Sequence, residues 1–421
     1  MNIKILPGLN GGKIDAIPSK SHAHRMIICA AFADRPTELM LNGSSDDIET
    51  TLGCVKALGC AVEKKSGSLV IRPAAGISAV PVLDCGESGS TYRFMLPVTA
   101  ALGIDAEFLL KGRLPERPMG PLFEILSENG VRIDTERPGS VSVSGKFECG
   151  SVSIRGNVSS QFITGIMLAA PVMRKKITIN IEGPLASSGY VDITADIMRM
   201  FGVNAVLNGN TITVDGEKGY ISPGKAAVEG DWSNTAYILA MCLAGSKDIK
   251  VDGINAGSVH GDMEICSILR SFGLEPEISG SSIYVKAGPV CPCEIDAGNI
   301  PDLVPAVAAL ACGAEGKTVI KNISRLKLKE SDRILSVTQG LRTAGADISS
   351  DGENITVNGT GNLEGGTIDS FSDHRIVMMA AIAAQLSERG VTVKHAEAVS
   401  KSYPAFFDDA KKLGTKIIAE E

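Results

Sequence analysis

Residues 152–171 read VSIRGNVSSQFITGIMLAAP. The first residues alternate apolar and polar, as a half-buried strand does. A polar knot follows, and then Phe162, Ile163, Ile166, Met167 and Ala170 recur at helical spacing. The same succession of strand, knot and apolar helix returns along the chain. The other copies are IDAIPSKSHAHRMIICAAFA (14–33), VLDCGESGSTYRFMLPVTAA (82–101), AVEGDWSNTAYILAMCLA (227–244), EIDAGNIPDLVPAVAALA (294–311) and TIDSFSDHRIVMMAAIAA (367–384).

Half a period away a second signal repeats. Gly59, Gly130, Gly202, Gly273, Gly345 and Gly414 each close an amphipathic stretch, as a C-terminal helix cap would, at spacings of 71, 72, 71, 72 and 69 residues. The first five are followed by two apolar-alternating runs with a turn between, such as AVLNGNTITV and ADISSDGENITV, which read as hairpins. Each unit is therefore β-α-β-α-β-β, and repetition implies that units bury their faces against neighbours. The sixth copy ends at KIIAEE, before a hairpin can close, while Ile3 and Ile5 form an alternation with no helix before it. The N-terminal strand is thus expected to complete the last unit. Both termini then share one domain, residues 1–19 plus 229–421, and residues 20–228 form an inserted domain. Three units fall in each, with crossings near residues 20 and 228. The fold class is α/β.

Composition narrows the function. The chain has 421 residues, 44% hydrophobic, with 41 basic and 48 acidic residues and a net charge of −7. No block of like charge marks a nucleic-acid arm, and 4% aromatic content argues against base stacking. The N-terminus MNIKILPGLNGGK lacks the apolar core of a signal peptide, and no apolar run approaches 18 residues. Ten cysteines without framework spacing point to a reducing, cytoplasmic setting. GLNGGKI (8–14) has the wrong spacing for a phosphate-binding loop, and Cys291-Pro292-Cys293 has no second Cys/His pair nearby to make a metal site.

The polar knots stand at predicted helix N-termini, where free N–H groups and the helix dipole favour anions. Serine and aspartate there are ordinary caps. Lysine and arginine are not, because a cation at a helix start opposes the dipole. Lys20, Arg25, Arg93, Arg333 and Arg375 therefore call for an anionic ligand. In the segment TVIKNISRLKLKESDR (318–333), TVIKNI reads as a strand, RLKLK prolongs it, and Ser331-Asp332 starts a helix through Ile334, Val337 and Leu341. That clusters Lys329, Glu330 and Arg333, and a carboxylate held among cations suits proton transfer near a bound substrate. His22 and His24 are read as lining the site or lying on the surface. Asp46-Asp47 is read as a helix start without chemistry.

PSKSHAHR (18–25), GESGSTYR (86–93), RPMG (117–120), SSQF (159–162), IPD (300–302), KESDR (329–333), SDHR (372–375) and KSYP (401–404) together resemble the successive signatures of the 5-enolpyruvylshikimate-3-phosphate synthase family. They span nearly the whole chain in that family's order. The resemblance implies an inside-out α/β barrel of two domains, six β-α-β-α-β-β repeats, and an active site in the cleft between domains that closes on ligand. It implies transfer of the enolpyruvyl group of phosphoenolpyruvate to the 5-hydroxyl of shikimate 3-phosphate, in a monomer with no metal or organic cofactor and no nucleic-acid or membrane partner. By the same resemblance, Arg117, Arg333, Arg375, Lys401 and Gln161 hold phosphoenolpyruvate, with Gly89 letting its phosphate approach the backbone and Lys20 between the substrates. Ser21, Arg25, Ser159, Ser160, Gln161, Ser187 and Lys329 hold shikimate 3-phosphate. Asp302 contacts the ring hydroxyls and acts as base, Glu330 exchanges protons at the methylene carbon, and Lys20 and Lys401 share in catalysis, with Arg93 and His374 supporting. SSGY (187–190) departs from the pattern, because Ser188 and Gly189 replace a basic residue and a proline. The alternative is the sister enzyme that uses a UDP-N-acetylglucosamine acceptor. Its usual cysteine near the RPMG segment is missing here, since no cysteine lies between Cys85 and Cys149. A non-catalytic ring around nucleic acid is opposed by the acidic charge and by Asp302 with Glu330.

Overall fold

The structure is a computed structural model that describes residues 1–77, 80–243 and 247–420. Twelve α-helices run along these residues: α1 (Lys20–Ala31), α2 (Asp46–Ala57), α3 (Gly89–Leu102), α4 (Gly120–Glu128), α5 (Ser160–Met173), α6 (Gly189–Met200), α7 (Trp232–Ala240), α8 (Ile265–Ser271), α9 (Val304–Cys312), α10 (Arg333–Thr343), α11 (His374–Leu386) and α12 (Phe406–Lys412). The chain separates into two compact units, Met1–Ile17 with Glu229–Glu421 and Pro18–Val228. Six four-stranded sheets, three in each unit, share one strand order: an edge strand, its parallel neighbour, and then the two strands of a hairpin. Lys176–Glu182 is typical, lying parallel to Ser151–Arg155 and antiparallel to Thr211–Asp215.

Each unit is built inside out. Every residue of α9 is buried, as are twelve consecutive residues' worth of α3 and α11 apart from single positions at an edge. Such all-apolar helices belong in a core, not at a surface. The sheets bury one face only: Ile177, Ile179 and Ile181 point inward from Lys176–Glu182. Fully burying each such side chain contributes about 1.5–3 kcal/mol. The six periodic glycines all have positive φ, between 74° and 97°, one residue past the helix caps. A side chain would be strained at each, so the repeat has a backbone cause.

The N-terminal strand Asn2–Leu6 lies between Val391–Lys394 and Lys416–Glu420, with Ile3 opposite Val393 and Ala419. It takes the hairpin position that the sixth unit lacks in sequence.

Three expectations are corrected. The strand before α1 does not belong to the sheet of α1. Gly12–Asp15 pairs with Ile249–Asp252, the strand after α7, while Lys225–Ala227, which precedes α7, pairs with Thr37–Met40, the strand after α1. At both crossings the strand stays behind and the helix goes ahead. The two short apolar runs are interchangeable locally, and only pairing across more than 180 residues distinguishes them. Next, RLKLK does not prolong the strand Gly316–Lys321. Asn322 turns the chain at φ 61°, and Ser324–Leu328 forms a 3-10 turn in which Leu326 is buried while Leu328 is 41% exposed. The Leu–Lys alternation is therefore that of a turn with one side inward. Finally, His22 and His24 are both buried, so neither is a surface residue.

Candidate active site

In the unit that holds both termini, three helix starts converge on one charged group. Asp302 lies two residues before α9, Arg333 opens α10 after its cap Asp332, and Asp373 caps α11 by accepting from the Arg375 N–H at 2.9 Å. Arg333 is buried and donates in four directions: Nη1 to Asp302 Oδ1 (2.6 Å), Nη2 to Glu330 Oε2 (2.7 Å) and Asp373 Oδ1 (3.3 Å), and Nε to Asp373 Oδ2 (2.8 Å). Three carboxylates around one guanidinium offset the unfavourable dipole at its position, and this explains how an arginine can open a buried helix. Burial alone would lower its proton affinity, but Asp373, Glu330 and Asp302 raise it well above the ordinary arginine value.

Asp302 is the meeting point of the cations. Lys329 Nζ donates to Oδ1 at 3.2 Å, and Arg375 Nη2 stands 3.8 Å from Oδ2. Burial alone would raise its carboxyl, but Lys329, Arg333 and Arg375 outweigh that and hold it well below the usual carboxylate range. The carboxylate is ionised and can accept a proton only when those cations are drawn elsewhere. Lys329 has its ammonium lowered, by burial first, with Asp302 acting in the opposite direction. Lys401 ends the 3-10 turn Ala396–Lys401 and donates to the Ser372 carbonyl at 2.8 Å, beside the cap of α11. His374 is buried, with Nδ1 3.7 Å from Asp373 Oδ1. The structure thus brings Asp302, Lys329, Glu330, Arg333, His374, Arg375 and Lys401 into one region of one unit.

The other unit gathers the remaining candidates. Lys20 opens α1 and donates to Asp47 Oδ2 at 2.8 Å. Ser159 caps α5 by accepting from the Gln161 N–H at 3.3 Å, and Ser160 is buried behind it. Gln161 bridges two copies of the repeat: Arg93 Nη1 donates to its Oε1 at 2.7 Å, and its Nε2 donates to Ser90 Oγ at 2.9 Å. Arg93 also lies 5.3 Å from the centre of the Phe162 ring. The Arg117 guanidinium covers Gly89 so closely that a Cβ there would stand 2.7 Å from Nη1. Ser187 is buried in the left-handed region at φ 55°, and Ser188 after it makes no capping bond to α6.

Arg25 behaves differently from the other cations. It is buried, with donors on Thr194 Oγ1 (2.8 Å), the Ser21 carbonyl (2.8 Å), the Tyr190 carbonyl (3.1 Å) and Thr164 Oγ1 (3.3 Å), and with the Phe94 ring centre 4.9 Å away. Burial lowers its proton affinity to about 10. Its neutral partners tie α1 to α5 and α6.

Four residues that matter here escaped the sequence reading. Asp373 was seen only as part of SDHR, yet it joins the starts of α10 and α11. Asp47, read as a helix start, is also the counter-ion of Lys20. Asn234 and Tyr237 of α7 support Arg375 and Asp302: the Tyr237 hydroxyl donates to the Asp302 carbonyl at 2.8 Å, and Arg375 sits 5.3 Å from its ring centre. Only Asp373, a carboxylate beside a cationic motif, carried a usable signal. The others are defined by partners far away in sequence. Among the described residues, no group of three or more His, Cys, Asp or Glu side chains is arranged to hold a metal ion, and no helix is long and apolar enough to cross a membrane.

These side chains can bind anions and hold carboxylates ready among cations, which many phosphoryl and carboxyl chemistries use. Comparison decides among them. Residues 9–410 match the family model described as EPSP synthase (3-phosphoshikimate 1-carboxyvinyltransferase). The chain belongs to the EPSP synthase family. A 3-phosphoshikimate 1-carboxyvinyltransferase of Clostridium kluyveri is 35% identical over 420 residues, covering 99% of this chain and 98% of the relative. One from Methanocorpusculum labreanum is 34% identical, with 97% of each chain covered. Among solved structures, an EPSP synthase from Acinetobacter baumannii superposes with a TM-score of 0.82 at 24% identity, over 99% of this chain and 100% of that one. That likeness shows the fold. The family match leaves no support for the UDP-sugar acceptor.

Proposed function

We propose that Arg117, Arg333, Arg375, Lys401 and Gln161 bind phosphoenolpyruvate, with Gly89 beneath its phosphate, and that Ser21, Arg25, Ser159, Ser160, Gln161, Ser187 and Lys329 bind shikimate 3-phosphate. Lys20 contacts both. The reaction is transfer of the enolpyruvyl group of phosphoenolpyruvate to the 5-hydroxyl of shikimate 3-phosphate, with release of phosphate, as the family and its named relatives support. Asp302 takes the proton of the 5-hydroxyl as oxygen attacks C2 of phosphoenolpyruvate. Glu330 supplies a proton to the methylene carbon, giving a tetrahedral intermediate, and a proton leaves the resulting methyl group as phosphate departs. Arg93 and His374 support the ligands' neighbours. Bidentate arginines suit the carboxylate and phosphate groups that both substrates carry. Removing the proton from Asp302 and lending it from Glu330 requires the local charges to shift, which an incoming anion does by competing for Arg333. A monomer acting in the cytoplasm, without nucleic-acid or membrane partners, belongs to the same reading and rests on the acidic charge and scattered cysteines.

The observation that carries the reading is the association of Asp302 and Glu330 with Arg333 and Lys329 at 2.6–3.2 Å in a chain of this family. The test is phosphate release from phosphoenolpyruvate in buffer with chelator, offered either shikimate 3-phosphate or UDP-N-acetylglucosamine. Turnover with shikimate 3-phosphate alone is expected. Turnover with the UDP-sugar, or with neither, overturns it.

A further inference from the structure

The two buried arginines of the α10 and α11 starts are held in opposite ways. Arg333 is ringed by three carboxylates. Arg375 is also buried, but its hydrogen-bond partner is neutral: Nη1 donates to Asn234 Oδ1 at 3.4 Å, Asp302 stays 3.8 Å away, and the Tyr237 ring lies beneath it. The Arg375 Nε makes no hydrogen bond among the described residues. Burial alone would lower its proton affinity, but Asp302 and Tyr237 raise it above the ordinary value, so the group is a full cation with donors to spare.

Asn234 is placed to decide this. It is 1% exposed, on the first turn of α7, where Asp231 accepts from its backbone N–H at 2.7 Å. Its Oδ1 also accepts from Ser402 Oγ at 3.3 Å, so one amide oxygen joins Arg375 to the segment that carries Lys401. Its Nδ2 is buried without a hydrogen-bond partner among the described residues. Leaving a buried donor unpaired costs about 1–3 kcal/mol, and an amide at this position would be retained only if something else takes the donor. Two unsatisfied donors, the Arg375 Nε and the Asn234 Nδ2, therefore lie on adjoining side chains beside a cation.

We propose that Asn234 is a specificity-determining positioning residue: it orients Arg375 through a neutral oxygen and so leaves that cation's charge for the anionic substrate. The inference rests on the reading that Arg375 binds phosphoenolpyruvate. A carboxylate in the same place would keep the geometry and pair with the guanidinium, turning Arg375 into a second Arg333.

The test is steady-state kinetics of Asn234→Asp, Asn234→Ser and Arg375→Ala on the full chain, with each substrate varied in turn. Asn234→Asp is nearly isosteric and keeps the acceptor, so KM for phosphoenolpyruvate should rise about tenfold through charge neutralisation. KM for shikimate 3-phosphate should stay put and kcat should change far less. Asn234→Ser, neutral but too short to reach Arg375, should raise the same KM about threefold, and it keeps the question open to measurement if the aspartate variant fails to fold. A folded Asn234→Asp or Asn234→Ser enzyme with an unchanged KM for phosphoenolpyruvate, while Arg375→Ala raises it, overturns this inference alone. An Arg375→Ala enzyme with an unchanged KM overturns the underlying reading as well. Parallel losses in kcat and both KM values would show a purely structural asparagine and overturn the proposal.

Discussion

Glu330→Gln isolates proton exchange at the methylene carbon from everything else that this side chain does. In the structure Glu330 Oε2 accepts from Arg333 Nη2 at 2.7 Å. Glutamine offers an amide oxygen to the same donor, and Arg333 keeps Asp302 and Asp373, so the exchange of a charged for a neutral hydrogen bond should cost only about 1 kcal/mol of stability. Proton transfer by a positioned group contributes about 10²–10⁴ in rate. At about 1.36 kcal/mol per factor of ten, the barrier should rise by about 2.7–5.4 kcal/mol, several times the stability change. The assay has two readouts. The first is kcat by phosphate release at saturating substrates. The second is deuterium appearing in the methylene group of phosphoenolpyruvate recovered from a reaction with shikimate 3-phosphate in D₂O, since protonation to a methyl group and its reversal must exchange that hydrogen. Both should fall together, by about the same factor of 10²–10⁴. A variant that keeps kcat within about threefold, or that loses turnover while deuterium still washes in at the parental rate, refutes the role of Glu330.

Three further outcomes follow from measured distances and shifts. Gly89→Ala would put a Cβ 2.7 Å from Arg117 Nη1, so the guanidinium must move; KM for phosphoenolpyruvate should rise about tenfold with KM for shikimate 3-phosphate little changed, and equal effects on both would refute the assignment of Arg117. Asp373→Asn removes a charge from the buried pair with Arg333 but keeps an oxygen to cap α11, and should cost about 3 kcal/mol in urea unfolding. Asp373→Ala should cost about 1 kcal/mol more, and equal losses would remove the capping role. Burial lowers His24 from an ordinary 6.5 to about 3. The unfolded chain then binds the extra proton below pH 6.5, so this contribution is complete above pH 6.5 and is lost as pH falls toward 3. From pH 7 to pH 5 it should amount to about 2 kcal/mol, absent in His24→Asn, whose amide can still meet Thr51; identical pH slopes for the two proteins in urea unfolding would contradict it.

Much of the fold was legible because its signals are local. Gly59 through Gly414 mark helix ends that need positive φ, and that need is met within one turn of chain. The β-α-β-α-β-β unit, the three-and-three grouping of sheets and the place of Asn2–Leu6 follow from counting those signals. The motifs SDHR and KESDR likewise announced cations at helix starts, since a charge that opposes the dipole is visible in one dimension. The extended reading of RLKLK failed because a Leu–Lys alternation is shared by a half-buried strand and a one-sided 3-10 turn.

What tertiary structure alone decided is which distant groups meet. Gly12–Asp15 and Lys225–Ala227 have equal claims on either sheet until their partners are known, because a strand's own residues do not name its neighbour. Lys20 finds Asp47, Arg333 finds Asp302 and Asp373, and Arg375 finds Asn234 through the packing of separate helices, at separations of 27 to 141 residues. Composition and period set the repeated unit. The protonation and charge of each site residue were settled by burial and by those partners, and the sequence carries neither until the helices pack.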